Sequence, residues 1–114
     1  MDPVQFYKCL ADETRLTSLL LIAKEEELCV CELMEALEES QPKISRHLAL
    51  LRKAEILSDR RQGQWVFYRL NPKLPNWTLH VLKETTQNNH AFLHASTKRL
   101  TRMGQRPERS RTCC

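Results

Sequence analysis

Between residues 40 and 70 the hydrophobic repeat changes from a helical period to a strand period, and that change leaves the chain few folds. Ser40 is a good helix N-cap, and Pro42 falls in the first turn, where its missing N–H costs nothing. In the helix expected over 42–53, Ile44, Leu48 and Leu51 make the inward stripe. Lys43, Arg46 and Lys53 face away, with Ser45, His47 and Arg52 on the flanks. From Leu57 the pattern alternates into Gln62-Gly63, where glycine can supply a positive φ. It returns over 64–70 with Trp65, Phe67 and Arg69 on one side and Val66, Tyr68 and Leu70 on the other. A basic amphipathic helix followed by a basic-tipped hairpin reads as the second half of a helix-turn-helix with its wing.

The flanking segments are helical. Val4, Phe6, Tyr7, Leu10 and Ala11 predict a short first helix over 4–11, and Asp12 caps a second over 13–24 with Leu16, Leu19, Leu20 and Ala23 on one face. The segment 28–31, Leu-Cys-Val-Cys, suits a short extended stretch, and a third helix follows with Leu33, Met34 and Leu37 inward. After Pro72 and Pro75 the pattern predicts one long final helix over 77–103, running through the polar residues 85–89. The expected class is mainly α with a small β-hairpin, a winged helix-turn-helix. Residues 1–103 form the DNA-binding and dimerisation domain, and 104–114 form a mobile tail without an apolar anchor.

Charge points to the partner. Residues 1–40 carry a net −7, whereas 41–70 carry +5 and 71–114 carry +6, so one surface repels phosphate and another attracts it. Gln41, Lys43, Ser45, Arg46, His47 and Arg52 mix base readers with phosphate contacts, which suits the major groove of double-stranded DNA, and Arg60 and Arg61 on the wing can reach adjacent phosphates. One reading helix per chain implies a homodimer, with the terminal helices as its contact surface. No apolar run is long enough to span a membrane, and the first residues have no secretory or transit pattern, so a cytoplasmic protein is expected. No phosphate loop, HExxH, GxSxG or separated carboxylate pair suggests an enzyme.

The five cysteines are an odd number, and a reducing compartment argues for thiols. Cys9 reads as a small buried hydrophobe, Cys29 and Cys31 form a C-x-C, and Cys113 and Cys114 end the chain. One such pair is too few for a zinc finger, but convergent thiolates select soft ions such as arsenite and antimonite. On a regular helix, positions i and i+2 point about 200° apart. Both sulfurs can therefore meet one atom only if the backbone is extended, at a helix start, or distorted by binding.

The runs Glu27-Leu28-Cys29-Val30-Cys31-Glu32-Leu33, 40–52 and 59–70, with Leu10-Ala11-Asp12-Glu13-Thr14-Arg15-Leu16 before them, closely resemble the arsenite-responsive repressors of the ArsR/SmtB family. The resemblance implies a homodimeric repressor that leaves its operator when trivalent arsenic or antimony binds, with no obligatory cofactor. The family's metalloid motif carries over as Cys29 and Cys31, while its third cysteine falls on Met34, a thioether that cannot replace a thiolate. The third position is then open to hydroxide, an exogenous thiol, or Cys113 or Cys114. Other members bind zinc through a D-x-H and H-x-x-E/H pattern. Here Thr78 stands in the place of the carboxylate before His80, and His90 and His94 are spaced differently. The competing expectation is a redox-sensing or constitutive winged-helix DNA-binding protein.

Overall fold

Two aspartates start the first two helices of the computed structural model, which describes residues 1–105. Asp2 Oδ2 accepts from Gln5 N–H at 3.1 Å at the head of α1 (Pro3–Leu10), and Asp12 Oδ2 accepts from Arg15 N–H at 2.9 Å at the head of α2 (Glu13–Glu25). Strand β1 (Leu28–Cys29) runs into α3 (Val30–Leu37), and α4 (Gln41–Lys53) follows after a tight turn. The wing is β2 (Leu57–Gln62) and β3 (Trp65–Leu70), and α5 (Asn76–Gln87) and α6 (His90–Arg102) complete the order. This is the expected winged helix-turn-helix. From residue 106 onward the expected tail, with Cys113 and Cys114, lies outside the described residues.

Helix α2 is the centre of the fold. Its spacing predicts one inward face, but Leu19, Leu20, Leu21 and Ile22 are all fully buried, and Thr14, Thr17 and Ser18 are buried with them. The helix touches α1, α3, α4, α5, α6, β1 and β3, so almost every side of it meets protein. The run of four consecutive apolar residues was the available signal, since a helix apolar all round is a buried one. Ile44, Leu48 and Leu51 of α4 join the same core, as their spacing predicts.

The hairpin is part of a three-stranded sheet in the order β1-β3-β2. Only Leu28 and Cys29 of the expected extended stretch are strand, opposite Tyr68 and Phe67, while Val30 and Cys31 already belong to α3. At the wing tip Gln62 pairs with Trp65, and Gly63 takes φ +61°, the conformation a two-residue hairpin turn requires.

The single final helix expected over 77–103 is instead two, and the break falls in the polar run. Asn88 and Asn89 donate side-chain amides to the carbonyls of Glu84 and Thr85 at 2.9 Å each, and Asn89 leaves helical geometry at φ −137°. Side chains that bind nearby backbone compete with helix continuation. The break lets α6 fold back on α3. Across the other end of the molecule, the Phe6 and Trp77 rings meet edge to face at 5.1 Å, joining α1 to α5. Val4, Tyr7, Trp77, Leu79 and Phe92 remain exposed on these outer helices.

Helix α4 hands the chain to the wing through a Schellman motif. Ile56 N–H donates to Leu51 O and Glu55 N–H to Arg52 O, both at 3.0 Å, while Ile56 and Leu51 are both fully buried. Glu55 sits at φ +64° in the position usually given to glycine. Glu55→Gly is therefore expected to stabilise the protein by about 0.5–1 kcal/mol, raising Tm by a few degrees in a thermal melt. An unchanged or lower Tm counts against strain at this residue. Among the described residues no helix is long and apolar enough to cross a membrane.

Candidate nucleic-acid interface and thiol site

The residues expected to read DNA all lie on α4 or the wing, but the structure divides them by their partners. Gln41 and Arg46 are exposed and Ser45 is half-buried on α4, and Arg61 is exposed on β2. Lys43 Nζ lies 3.1 Å from Glu39 Oε1, one helical turn back, and Arg52 Nη1 lies 3.4 Å from Asp59 Oδ2, linking α4 to the wing. Both are surface pairs of the kind contributing little in water, so phosphate can displace them. Lys53 and Arg69, not among the expected contacts, are exposed on the same two elements and add positive charge there.

His47 is turned inward. Its side chain is 13% exposed, with Nδ1 3.2 Å from Arg15 Nη1 and 3.9 Å from Asp12 Oδ2. The same guanidinium donates through Nε to Cys9 O at 2.8 Å and through Nη2 to Lys8 O at 3.2 Å. Arg15 thus ties the end of α1 and the start of α2 to α4. Sequence reasoning missed this role, although a cation in the first turn of a helix, where the dipole disfavours it, was a signal.

Burial holds the His47 pKa below that of a free histidine, against the opposing pull of Asp12, and the Arg15 N–H holds the Asp12 carboxyl below the usual range. Both depressed values act in one direction. The contribution of neutral His47 is complete above about pH 6.5 and is lost as pH falls through its lower folded pKa, and that of Asp12 is lost below about pH 4. Urea midpoints are expected to fall between pH 7 and pH 5 in the parent protein and to fall less in His47→Asn. Parallel curves for the two proteins exclude His47 as the source.

The thiol site lies where the sheet turns into the helix-turn-helix. Cys29 ends β1 and is the N-cap of α3, at φ −93° and ψ 169°, and is 2% exposed. Its backbone N–H donates to Glu32 Oε1 at 2.9 Å, while its side chain faces the backbone of Glu32, so the two residues form a capping box with sulfur in place of the usual hydroxyl. Glu32 is fully buried. Cys31, in the first turn of α3, is half-buried beside a groove of about 780 Å³ whose walls include Met34, Glu35, Glu38, Arg102 and Met103. The pair therefore straddles an extended residue and a helix start, the backbone arrangement that convergence of i and i+2 sulfurs needs.

Cys31 is disulfide-bonded in this structure, in contrast to the expectation of thiols throughout. Cys9 and Cys29 are reduced and buried. Burial pushes the Cys9 thiol pKa up, and Cys9 packs in the core as a small hydrophobe. Met34 is half-buried against that core. Thr78 is fully buried, with its hydroxyl donating to Pro75 O at 2.7 Å, whereas His80, His90 and His94 are exposed.

Residues 12–59 match the family model described as bacterial regulatory protein, arsR family. The chain is 55% identical over 113 residues to the arsenic resistance transcriptional regulator ArsR1 of Pseudomonas putida, covering 99% of this chain and 88% of that one. It is 50% identical over 100 residues to the arsenical resistance operon repressor of Escherichia coli K12, covering 88% and 86%. Among solved structures, HlyU from Vibrio cholerae superposes with a TM-score of 0.67 at 32% identity, over 75% of this chain and 89% of that one. The AntR antimony-specific transcriptional repressor superposes with a TM-score of 0.61 at 31% identity, over 71% and 70%.

Proposed function

The chain belongs to the arsR family of bacterial regulatory proteins, and from that premise we propose that it is a cytoplasmic, homodimeric repressor that leaves operator DNA when trivalent arsenic or antimony binds Cys29 and Cys31. It is a winged helix-turn-helix transcriptional regulator and not an enzyme. The observation that carries the inducer reading is the position of the two cysteines: one ends a strand of the wing sheet and the other lies in the first turn of the helix that precedes α4.

Arsenite is a soft, trigonal acceptor that condenses with thiols, each new As–S bond releasing one water from an As–OH group and a thiol proton. Two protein sulfurs leave one position for hydroxide, an added thiol, or Cys113 or Cys114. Drawing the sulfurs of Cys29 and Cys31 onto one atom loads the capping box of α3 and the end of β1 together. In the dimer, the exposed aromatic and aliphatic residues of α1 and α5 are the surface that supports pairing, and two α4 helices address successive major grooves. Gln41, Ser45 and Arg46 address base edges or their flanks, while Lys43, Arg52 and Arg61 carry charge toward the backbone, and His47 and Arg60 are engaged within the fold.

The test is arsenite titration of an operator-bound complex under a thiol reductant, which opens the disulfide at Cys31. Release with a coupling of about 1–3 kcal/mol is expected, with DNA weakening arsenite binding by the same factor. Cys29→Ser with Cys31→Ser is expected to keep the operator and lose the release. Unchanged release in the double variant overturns the assignment. The Cys31 disulfide favours a second reading, regulation by oxidation of these cysteines, which predicts release by an oxidant and none by arsenite in reductant.

A further inference from the structure

The proposed sensor and the wing share one row of the sheet. Cys29 is opposite Phe67 across β1 and β3, and Phe67 is opposite Arg60 across β3 and β2. Directly paired residues project on the same face of a sheet, and Glu27, two before Cys29, continues that face. The guanidinium of Arg60 lies 4.8 Å from the centre of the Phe67 ring. Its Nε donates to Glu27 Oε2 at 2.8 Å, its Nη2 donates to Glu27 Oε1, and its Nη1 donates to Gln62 Oε1 at 2.8 Å.

The sequence places Arg60 among the phosphate contacts, but its planar fork is matched in two places by a carboxylate and stacked on a ring. That is the geometry in which arginine fixes position rather than supplying diffuse charge. Glu27, Cys29, Phe67 and Arg60 form a closed circuit across all three strands. A change at the Cys29 backbone therefore reaches the wing by two routes, through the ladder to Phe67 and through Glu27 to Arg60.

We propose that Glu27 and Arg60 are positioning residues for the release step: their ion pair, closed over Phe67, makes the wing follow the backbone that carries Cys29. The proposal rests on the metalloid reading of Cys29 and Cys31. The pair leaves the wing in place while β1 is undisturbed and pulls it out of its DNA-bound attitude when the two sulfurs are drawn together. Without it, metalloid binding still distorts β1, but the distortion is not passed to β2.

The experiment uses the full chain in reductant with a labelled operator duplex and sodium arsenite. Operator affinity with and without arsenite, and arsenite binding to the protein alone, are measured for the parent, Glu27→Gln, Arg60→Gln and the charge-exchanged Glu27→Arg/Arg60→Glu protein. Circular dichroism melts verify folding. In the parent, arsenite is expected to weaken operator binding about 10- to 100-fold, and in each single variant by about threefold or less, with arsenite still bound and basal operator affinity within about threefold. The charge-exchanged protein is expected to recover release even if a single variant is poorly folded. Two results overturn the proposal while leaving the inducer site standing. One is release at the parent level in both single variants. The other is basal operator affinity lost in Arg60→Gln and in the exchanged protein but raised in Glu27→Gln, the pattern of a phosphate contact. If the parent complex does not release with arsenite, the metalloid reading fails, and this proposal fails with it.

Discussion

Truncating Leu20 to alanine is expected to lower the Tm by roughly 10–30 °C. Leu20 is fully buried on α2, the helix that meets seven other elements, so no single neighbour can move in to fill the space its side chain leaves. A buried Leu→Ala change costs about 2–5 kcal/mol, against a total stability of about 5–15 kcal/mol for a native protein. Val4→Ala is the control. Val4 is 60% exposed on α1, and the same kind of truncation there is expected to change the stability of a protomer by less than about 0.5 kcal/mol. Dimer pairing makes Tm depend on concentration, so both variants are compared with the parent at one protein concentration. A Leu20→Ala melt within about 3 °C of the parent is incompatible with the central place given to α2.

The largest functional effect is expected at Arg46. Its side chain is on the open face of α4, one turn after Pro42, and it is exposed, in contrast to His47 beside it, which is drawn into contact with Arg15. An arginine that meets a base edge in both half-sites of a dimer is removed twice by one substitution. At about 1–3 kcal/mol per base contact, Arg46→Ala is expected to weaken operator binding by at least about thirtyfold and to relax sequence preference. Lys53→Ala is expected to weaken binding to all duplexes alike and to lower the salt slope by about one for each phosphate it no longer neutralises. Fluorescence anisotropy at several fixed salt concentrations separates the two. An Arg46→Ala protein that binds specific and nonspecific duplexes in the parent's ratio shows that Arg46 touches only phosphate.

The helix-turn-helix and wing were legible because each rests on local signals. Ser40 and Pro42 mark the start of α4, its stripe of Ile44, Leu48 and Leu51 is buried, and Gly63 takes the positive φ its turn needs. Even here the Ser40 side chain makes no capping hydrogen bond, so its part is one of backbone conformation. The break between α5 and α6 was harder to see, because residues 85–89 carry no proline or glycine and apolar residues continue on both sides. It is the pair of asparagine side chains, each bound to a carbonyl four residues back, that ends the helix. For the thiol site, the sequence supplied the two cysteines and the condition on their backbone. It did not indicate that Glu32 would be buried beneath them, since a glutamate between Cys31 and Leu33 reads as a solvent-facing residue until the capping box is seen.

The sequence by itself determined the periodicities, the polarised charge and the soft-ligand chemistry of a C-x-C, because these depend on residue type and on neighbours within about one helical turn. Tertiary structure alone decided which basic residues face outward and which are engaged within the fold. It turned His47 toward Arg15 and closed Arg60 on Glu27, in contacts spanning 32 and 33 residues. It also paired the two-residue β1 with β3, setting the proposed sensor in the wing's own sheet. A short strand has no stability alone and forms only where a partner edge is presented to it. Which edge that is depends on how α2, α3 and the hairpin pack.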